Sequence, residues 1–498
     1  MFLISKLSSN REKLCFVAIA ILLLMDSCFA QPAITLSKSS GPPTTKLLVS
    51  GIGFAPNVGV DIYFDTTDET LVITDTNGSF HDAAAHALAS SYPGKHWVTA
   101  LQRYGGQGAQ NPFLVFTNWS QFHFDTSRTG LNPYENVISK RTASRLRPTW
   151  SATGIDESFA SPTVADGLFY AASQQGELYT FNAFSGKLVW SQYAGGCSLE
   201  GSPAVAAGIV YDQDLCGFVY AWNARTGSLI WKEQLSNTGS SSPAASNGVI
   251  FISAANSQKA VTTLYALNAK TGATIWTAPI GGYNGDASPT PSLGADAVYA
   301  ITEGQLFALD AHTGNQLWTY TVGHGRGAYA APCVANGVVY ASSVDGNVYA
   351  LNATTGTLIW KYATADQVSS TPAFANGLIY VGSTDNNLYA LNAYSGALQW
   401  EYATGGAIYS SPAVANGVVF DSSGDYNLYA WDADTGALLW QYAVTDSLFA
   451  PSPAVANGSV WLGGDNVHAF TVAAGDVPGS SASDVAPDMG TLRPSGEF

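Results

Sequence analysis

The chain has 498 residues, a net charge of −16, a pI near 4.6 and only 11% charged residues. That acidic balance argues against nucleic acid and against anionic membrane surface as partners, since both repel it. The length supports two domains with full cores. Residues 1–30 read as a signal peptide: Lys6, Arg11 and Lys13 precede the apolar run Leu14–Met25, and Cys28-Phe29-Ala30 precedes a cut at Gln31. The run is short for a bilayer span. Lipid on Cys28 is the alternative, disfavoured because Met25-Asp26-Ser27 lacks the expected Leu. No second apolar stretch is a transmembrane candidate, so the mature chain is expected to be secreted, periplasmic or at the cell surface.

Residues 31–117 hold short runs such as Leu47-Leu48-Val49, Val60-Asp61-Ile62-Tyr63-Phe64, Leu71-Val72-Ile73-Thr74 and His96-Trp97-Val98-Thr99-Ala100. With turn signals between them, including Asn77-Gly78, they predict a β-sandwich. The stretch Ser50-Gly51-Ile52-Gly53-Phe54 looks like bacterial immunoglobulin-like modules that precede surface domains. Residues 118–145 form a connector, with Asn118-Trp119-Ser120-Gln121-Phe122-His123-Phe124-Asp125 and Arg128-Thr129-Gly130-Leu131-Asn132-Pro133, expected to pack on the domain C-terminal to it.

From Trp150 onward, tryptophans recur at spacings of 40, 41, 45, 42, 42, 40 and 40 residues: Trp150, Trp190, Trp231, Trp276, Trp318, Trp360, Trp400 and Trp440. A period near forty signals a repeat architecture whose units cannot bury their own faces alone. Between tryptophans come a Pro-led run, an Asn-Gly turn, a β-branched run such as Val338-Val339-Tyr340, an Asp-Gly turn, and Val348-Tyr349-Ala350-Leu351 before a Thr-Gly turn. Those dipeptides between short apolar runs are strong hairpin signals. Each unit is read as four antiparallel strands, and such units packed radially make a propeller blade. Proline cannot donate to a ladder, so the Pro-led strand is placed at the inner edge, beside the channel.

The stretch Ala350-Leu351-Asn352-Ala353-Thr354-Thr355-Gly356-Thr357-Leu358-Ile359-Trp360 and its six copies between Thr180 and Trp440 resemble the pyrroloquinoline-quinone-like (PQQ-like) β-propeller repeat. The resemblance covers about two-thirds of the chain and implies tryptophans docked between blades. Pro-led strands begin at Pro162, Pro203, Pro243, Pro289, Pro332, Pro372, Pro412 and Pro453, which makes eight. Trp150 has no inner strands before it, and the last unit degenerates at Gly475. The fold class expected is therefore all-β, an eight-bladed β-propeller over residues 146–474. Leu146–Ala152 then supplies the outer strand of the last blade and removes an exposed edge. A seven-bladed ring with a stray hairpin is the alternative. The tail 475–498 has a disorder-like composition.

In a four-stranded blade, the loop before the inner strand and the second hairpin turn share one face. Cys197 and Cys216 occupy those places in one blade and are expected to form a disulfide rather than two free thiols. The same loops define a channel mouth carrying Glu157, Glu200, Asp286, Arg326, Tyr329, Asp366, Tyr409 and Asp446, with Asp156 and Phe449 beside them. Carboxylates gathered there could hold Ca²⁺ or act as a general base on a quinone-bound alcohol; the simpler reading is a solvated acidic rim. Asp345, Asp385 and Asp425 have hairpin spacing and are read as turn chemistry, not calcium loops.

The function expected is a non-catalytic extracytoplasmic scaffold for another envelope or extracellular protein, like proteins of the BamB type, with no cofactor or metal. The resemblance also implies an alternative, an alcohol or polyvinyl-alcohol dehydrogenase using PQQ and Ca²⁺. Members of that class often carry adjacent cysteines and a tryptophan against the quinone, and this chain has neither adjacent cysteines nor a rim tryptophan. A carbohydrate- or surface-binding adhesin using Tyr329, Tyr409 and Phe449 is the third reading.

Overall fold

Asn-Gly pairs turn tight hairpins because both central residues of a type I′ turn need positive φ. Asn336 and Gly337 supply this with φ of 50° and 76°, as do Asn376–Gly377 and Asn416–Gly417. The computed structural model describes residues 31–155, 160–282, 289–323, 330–444, 451–464 and 466–476. The signal segment 1–30 with Cys28 lies outside the described residues, as does the chain after 476.

The chain divides into two compact units, one ending at Val115 and the other beginning at Phe116. In the first, a three-stranded sheet (Ala33–Leu36, Lys46–Ile52, Phe80–His86) and a five-stranded sheet share one core. That core includes Leu47, Val49, Val60, Ile62, Phe64, Val98 and Phe113. The strand Phe80–His86 was not foreseen, because Phe-His-Asp-Ala-Ala-Ala-His has low β propensity; its pairing with Lys46–Ile52 carries it.

Among the described residues the second unit contains eight sheets, each built from four antiparallel strands of the repeat region. Their innermost strands are Thr163–Ala165, Ala204–Ala206, Ala244–Ser246, Ser292–Leu293, Cys333–Ala335, Ala373–Ala375, Ala413–Ala415 and Ala454–Ala456. The sheets are numbered 1 to 8 in that order. Seven sheets are contiguous in sequence. In sheet 8 the outer strand is Arg147–Ala152, paired antiparallel with Val467–Thr471 so that Trp150 faces Ala469. The chain upstream of sheet 1 therefore completes the last sheet.

The recurring motif is explained by what each indole touches. Trp190 donates from Nε1 to the carbonyl of Ala224 in the next sheet, and Trp150, Trp231, Trp276, Trp318, Trp360 and Trp400 do the same to Ala183, Ala269, Ala311, Ala353, Ala393 and Ala433, all at 2.9–3.1 Å. The motif glycine lies against that ring. Gly356 has φ +71°, and a Cβ there would sit 2.6 Å from the Trp318 ring. Tyrosines of the second strands (Tyr170, Tyr211, Tyr299, Tyr340, Tyr380) give a second hydrogen bond to the same alanine carbonyls. Burying an indole removes about 150–250 Å² from water, roughly 4–6 kcal/mol at ~25 cal/mol/Å² before entropy. Six core clusters each span two neighbouring sheets.

These contacts set an expectation for paired glycine substitutions. Gly337→Ala meets only the left-handed backbone, since nothing lies within 4 Å of its Cβ, and should cost about 1–2 kcal/mol. Gly356→Ala adds collision with Trp318 and should cost about 2–4 kcal/mol. Chemical denaturation of both variants measures the difference; equal losses would remove the indole from the account.

Candidate functional site

The loops that lead into the inner strands begin the candidate site. Residues just before each inner strand form a belt of hydroxyls. The N–H of Ser161 donates to Ser202 Oγ (2.9 Å), that of Ser202 to Ser242 Oγ (2.9 Å), and that of Ser242 to Thr290 Oγ1 (3.2 Å). The belt resumes from Ala331 to Thr371, Ser411 and Ser452, and the Ser452 N–H returns to Ser161 Oγ at 3.0 Å. Only the step from Thr290 to Ala331 is missing, because alanine has no hydroxyl. Sequence reasoning used the proline that follows each belt residue and overlooked the hydroxyls; in sheet 4 it took Pro289, whereas Pro291, after Thr290, leads the inner strand Ser292–Leu293.

Of the eight rim residues expected, Glu157, Asp286, Arg326, Tyr329 and Asp446 lie outside the described residues, with Asp156 and Phe449. The other three come from loops leading into three different sheets. Glu200, before sheet 2, is half-buried, and burial raises its pKa against a hydrogen bond from Ser198. Asp366, before sheet 6, is exposed and accepts the Gln367 N–H at 2.8 Å. Tyr409, before sheet 7, is 38% exposed. Among the described residues no three His, Cys, Asp or Glu side chains gather as a metal-holding group.

The disulfide expected between Cys197 and Cys216 is present, with Cα atoms 5.9 Å apart. It ties the loop before sheet 2 to that sheet's second turn, where Leu215 N–H also donates to Ser198 O at 2.9 Å. In the loop-entropy description such a bond contributes roughly 3 kcal/mol. Cys333 is a buried free thiol.

The aspartates of the second turns serve turn chemistry. Asp345 accepts the Asn347 N–H at 3.0 Å and the Tyr349 hydroxyl at 2.6 Å, and Asp385 and Asp425 repeat both bonds. Burial raises the Asp345 pKa, but hydrogen bonds from Tyr349, Ser343 and Asn347 outweigh it and hold the carboxyl below its ordinary value.

Two acids that sequence reasoning missed sit deeper. Asp212 and Asp421 occupy the same register in the second strands of sheets 2 and 7, opposite Tyr220 and Tyr429. The other sheets place Ala171, Ile252, Ala300, Ala341, Val381 and Leu462 there, so a carboxylate interrupting an apolar run was the available signal. Both are fully buried, and each leaves Oδ2 without a partner among the described residues. Asp212 Oδ1 accepts its neighbour Gln213 N–H at 2.8 Å, and desolvation drives its pKa well up. Asp421 Oδ1 accepts the Ser410 hydroxyl and the Ser422 N–H, yet burial pushes its pKa up to about 7.

The connector supplies the floor. Trp119 exchanges backbone hydrogen bonds with Val164, and Arg128 is fully buried, donating to the carbonyls of Phe122, Ser242, Pro243 and Pro291. The His123 ring lies between the carbonyls of Arg128 (2.7 Å) and Pro412 (2.8 Å), and burial lowers its pKa to about 4. The segment therefore packs on the ring, as expected, and does so along the channel edge of the inner strands.

This fold defines the chain as a PQQ-like β-propeller protein. It belongs to the family described as outer membrane protein assembly factor BamB, whose model matches residues 138–218, 196–348 and 344–487. Among solved structures it is similar to BamB from Moraxella catarrhalis, at 18% identity and TM-score 0.56, covering 66% of this chain and 99% of that one. A quinohemoprotein alcohol dehydrogenase from Pseudomonas putida HK5 matches at 15% identity and TM-score 0.62, over 76% of this chain and 82% of its own. One from Comamonas testosteroni matches at 15% and 0.60, over 71% and 80%. At such identities the likeness is one of fold. No curated protein matches the chain in sequence.

All 13 tryptophans lie within the described residues, and none stands in a loop leading into an inner strand. The eight repeat indoles are turned between sheets, Trp440 resting on Phe470 at 5.4 Å between ring centroids.

Asp421 gives the site a pH signature. Its folded pKa lies above the unfolded value near 3.8, so the stability tied to its protonation is complete at acid pH and lost as pH rises through about 7. Asp421→Asn should remove that loss. Relative to wild type, it should gain up to about 4 kcal/mol between pH 4 and pH 8, at ~1.4 kcal/mol per unit. Denaturant unfolding at the two pH values measures this, and a parallel shift of both proteins would contradict it.

Proposed function

We propose that the chain is a non-catalytic propeller of the cell envelope that serves as a rigid binding scaffold for another envelope or extracellular protein. The observation that carries this reading is where the repeated chemistry goes. The indoles, motif glycines, serine hydroxyls and turn aspartates are all engaged in holding the sheets to themselves and to each other. Membership of the BamB family supports the same reading. The signal-like residues 1–30 support an extracytoplasmic location, and no described helix is long and apolar enough to cross a membrane. In this reading residues 31–117 are an immunoglobulin-like module, 118–145 the connector and 146–474 the propeller.

The test uses the purified full chain. Incubation with PQQ and Ca²⁺ and then desalting should leave no quinone absorbance and no dye-linked alcohol oxidation. The same protein, immobilised, should retain a defined protein from envelope extract. A quinone spectrum that survives desalting, or alcohol oxidation, would replace the scaffold by a dehydrogenase.

A further inference from the structure

The innermost strand of a propeller sheet has one edge with no strand beside it, so its backbone groups need other partners. Here one short segment supplies them, sheet by sheet. Trp119 pairs with Val164 of sheet 1 (2.7 and 2.9 Å), and Ser120 O accepts the Val205 N–H of sheet 2 (2.7 Å). Gln121 Oε1 accepts the Ala245 N–H of sheet 3 at 3.1 Å. The carbonyls of Thr126, Ser127, Thr129 and Gly130 accept the N–H groups of Leu293, Val334, Phe374 and Val414 in sheets 4 to 7, at 2.7–2.8 Å. Asn132 Nδ2 donates to Val455 O of sheet 8 at 2.9 Å.

The order of the segment is the order of the sheets, one after another around the axis. Its two ends meet at the first turn of sheet 8. Thr117 N–H donates to Asn457 Oδ1 at 2.7 Å, and Glu135 Oε2 accepts the Gly458 N–H at 3.1 Å. The path demands an unusual backbone: His123, Phe124 and Arg128 have φ of 57°, 77° and 56°. Non-glycine residues hold such angles only where their surroundings over-determine them. Arg128 is the centre of those surroundings, with its guanidinium spent on carbonyls of the connector and of sheets 3 and 4.

We infer that residues Thr117–Glu135 are an intramolecular plug that sets the register of all eight inner strands about one axis and closes that end of the channel with the chain's own backbone. The segment precedes the ring in sequence and touches every sheet, so the ring closes around it. The plug makes the inner edges one cooperative unit. An ordinary packed linker would leave each edge to its own sheet.

Hydrogen–deuterium exchange on the full chain separates these cases. In wild type, under increasing mild denaturant, the amides of Val164, Val205, Leu293, Val334, Phe374 and Val414 should open together at one free energy. Arg128→Gln touches only sheets 3 and 4 directly. It should nonetheless speed exchange of Val164, Phe374 and Val414, in sheets 1, 6 and 7, by about as much as that of Leu293, roughly tenfold or more. Acceleration confined to Leu293 and its sheet, or wild-type amides that open at widely different denaturant concentrations, would overturn the inference. If Arg128→Gln does not fold, the wild-type series decides alone.

Discussion

The structure depends on one contact made again and again: an indole laid on a glycine of the next sheet, with its N–H on that sheet's alanine carbonyl. Three constraints meet there. The ring must lose its hydration shell, its N–H must keep a partner, and the backbone beneath must come closer than any Cβ permits. The Ala-x-Asn-Ala-x-Thr-Gly turn meets all three, since Gly356 takes a left-handed angle and Asn352 Oδ1 holds the turn through the N–H groups of Thr354 and Thr355. The motif tryptophan and the motif glycine of a single repeat therefore serve different interfaces. Each sheet receives an indole from behind and gives one forward.

A ring made this way has a seam, and the seam shows how the pattern bends. Gly475 holds the motif place ahead of Trp440 but has nothing within 4 Å of its Cβ position, and the indole packs on Phe470 instead. Across the next interface, Trp150 and Trp461 both donate to the Ala183 carbonyl, at 2.9 and 3.2 Å. Trp461 stands where sheets 1, 2, 4, 5 and 6 use a tyrosine hydroxyl and sheets 3 and 7 a phenylalanine. The chain before sheet 1 thus contributes twice, as the outer strand of sheet 8 and as the segment along the channel edge. Both contributions tie the start of the propeller to its end.

Much of this was readable in advance because repetition multiplies weak signals. One Asn-Gly or one tryptophan means little, but eight tryptophans at a forty-residue period place every strand. The disulfide was also readable, since propeller geometry puts Cys197 and Cys216 on one face. What escaped was whatever occurs once or serves two places. Asp212 and Asp421 resemble solvated acids until their register is known, and the Ser161–Ser452 belt needs neighbouring sheets before a hydroxyl has a partner. The connector was legible as something that packs on the ring. Its path was not, because its partners lie up to hundreds of residues away and are mostly backbone groups that no side chain announces.

The central claim is that the ring is closed by Arg147–Ala152 lying antiparallel to Val467–Thr471. Ser151 and His468 are directly opposite in that register, within the Cα separation a disulfide accepts. Ser151→Cys combined with His468→Cys should form a bond under mild oxidation, detected as a linked peptide pair by mass spectrometry of the folded protein. Two freely alkylated thiols in a protein that remains folded would contradict the closure, and with it the arrangement of indoles around the circle.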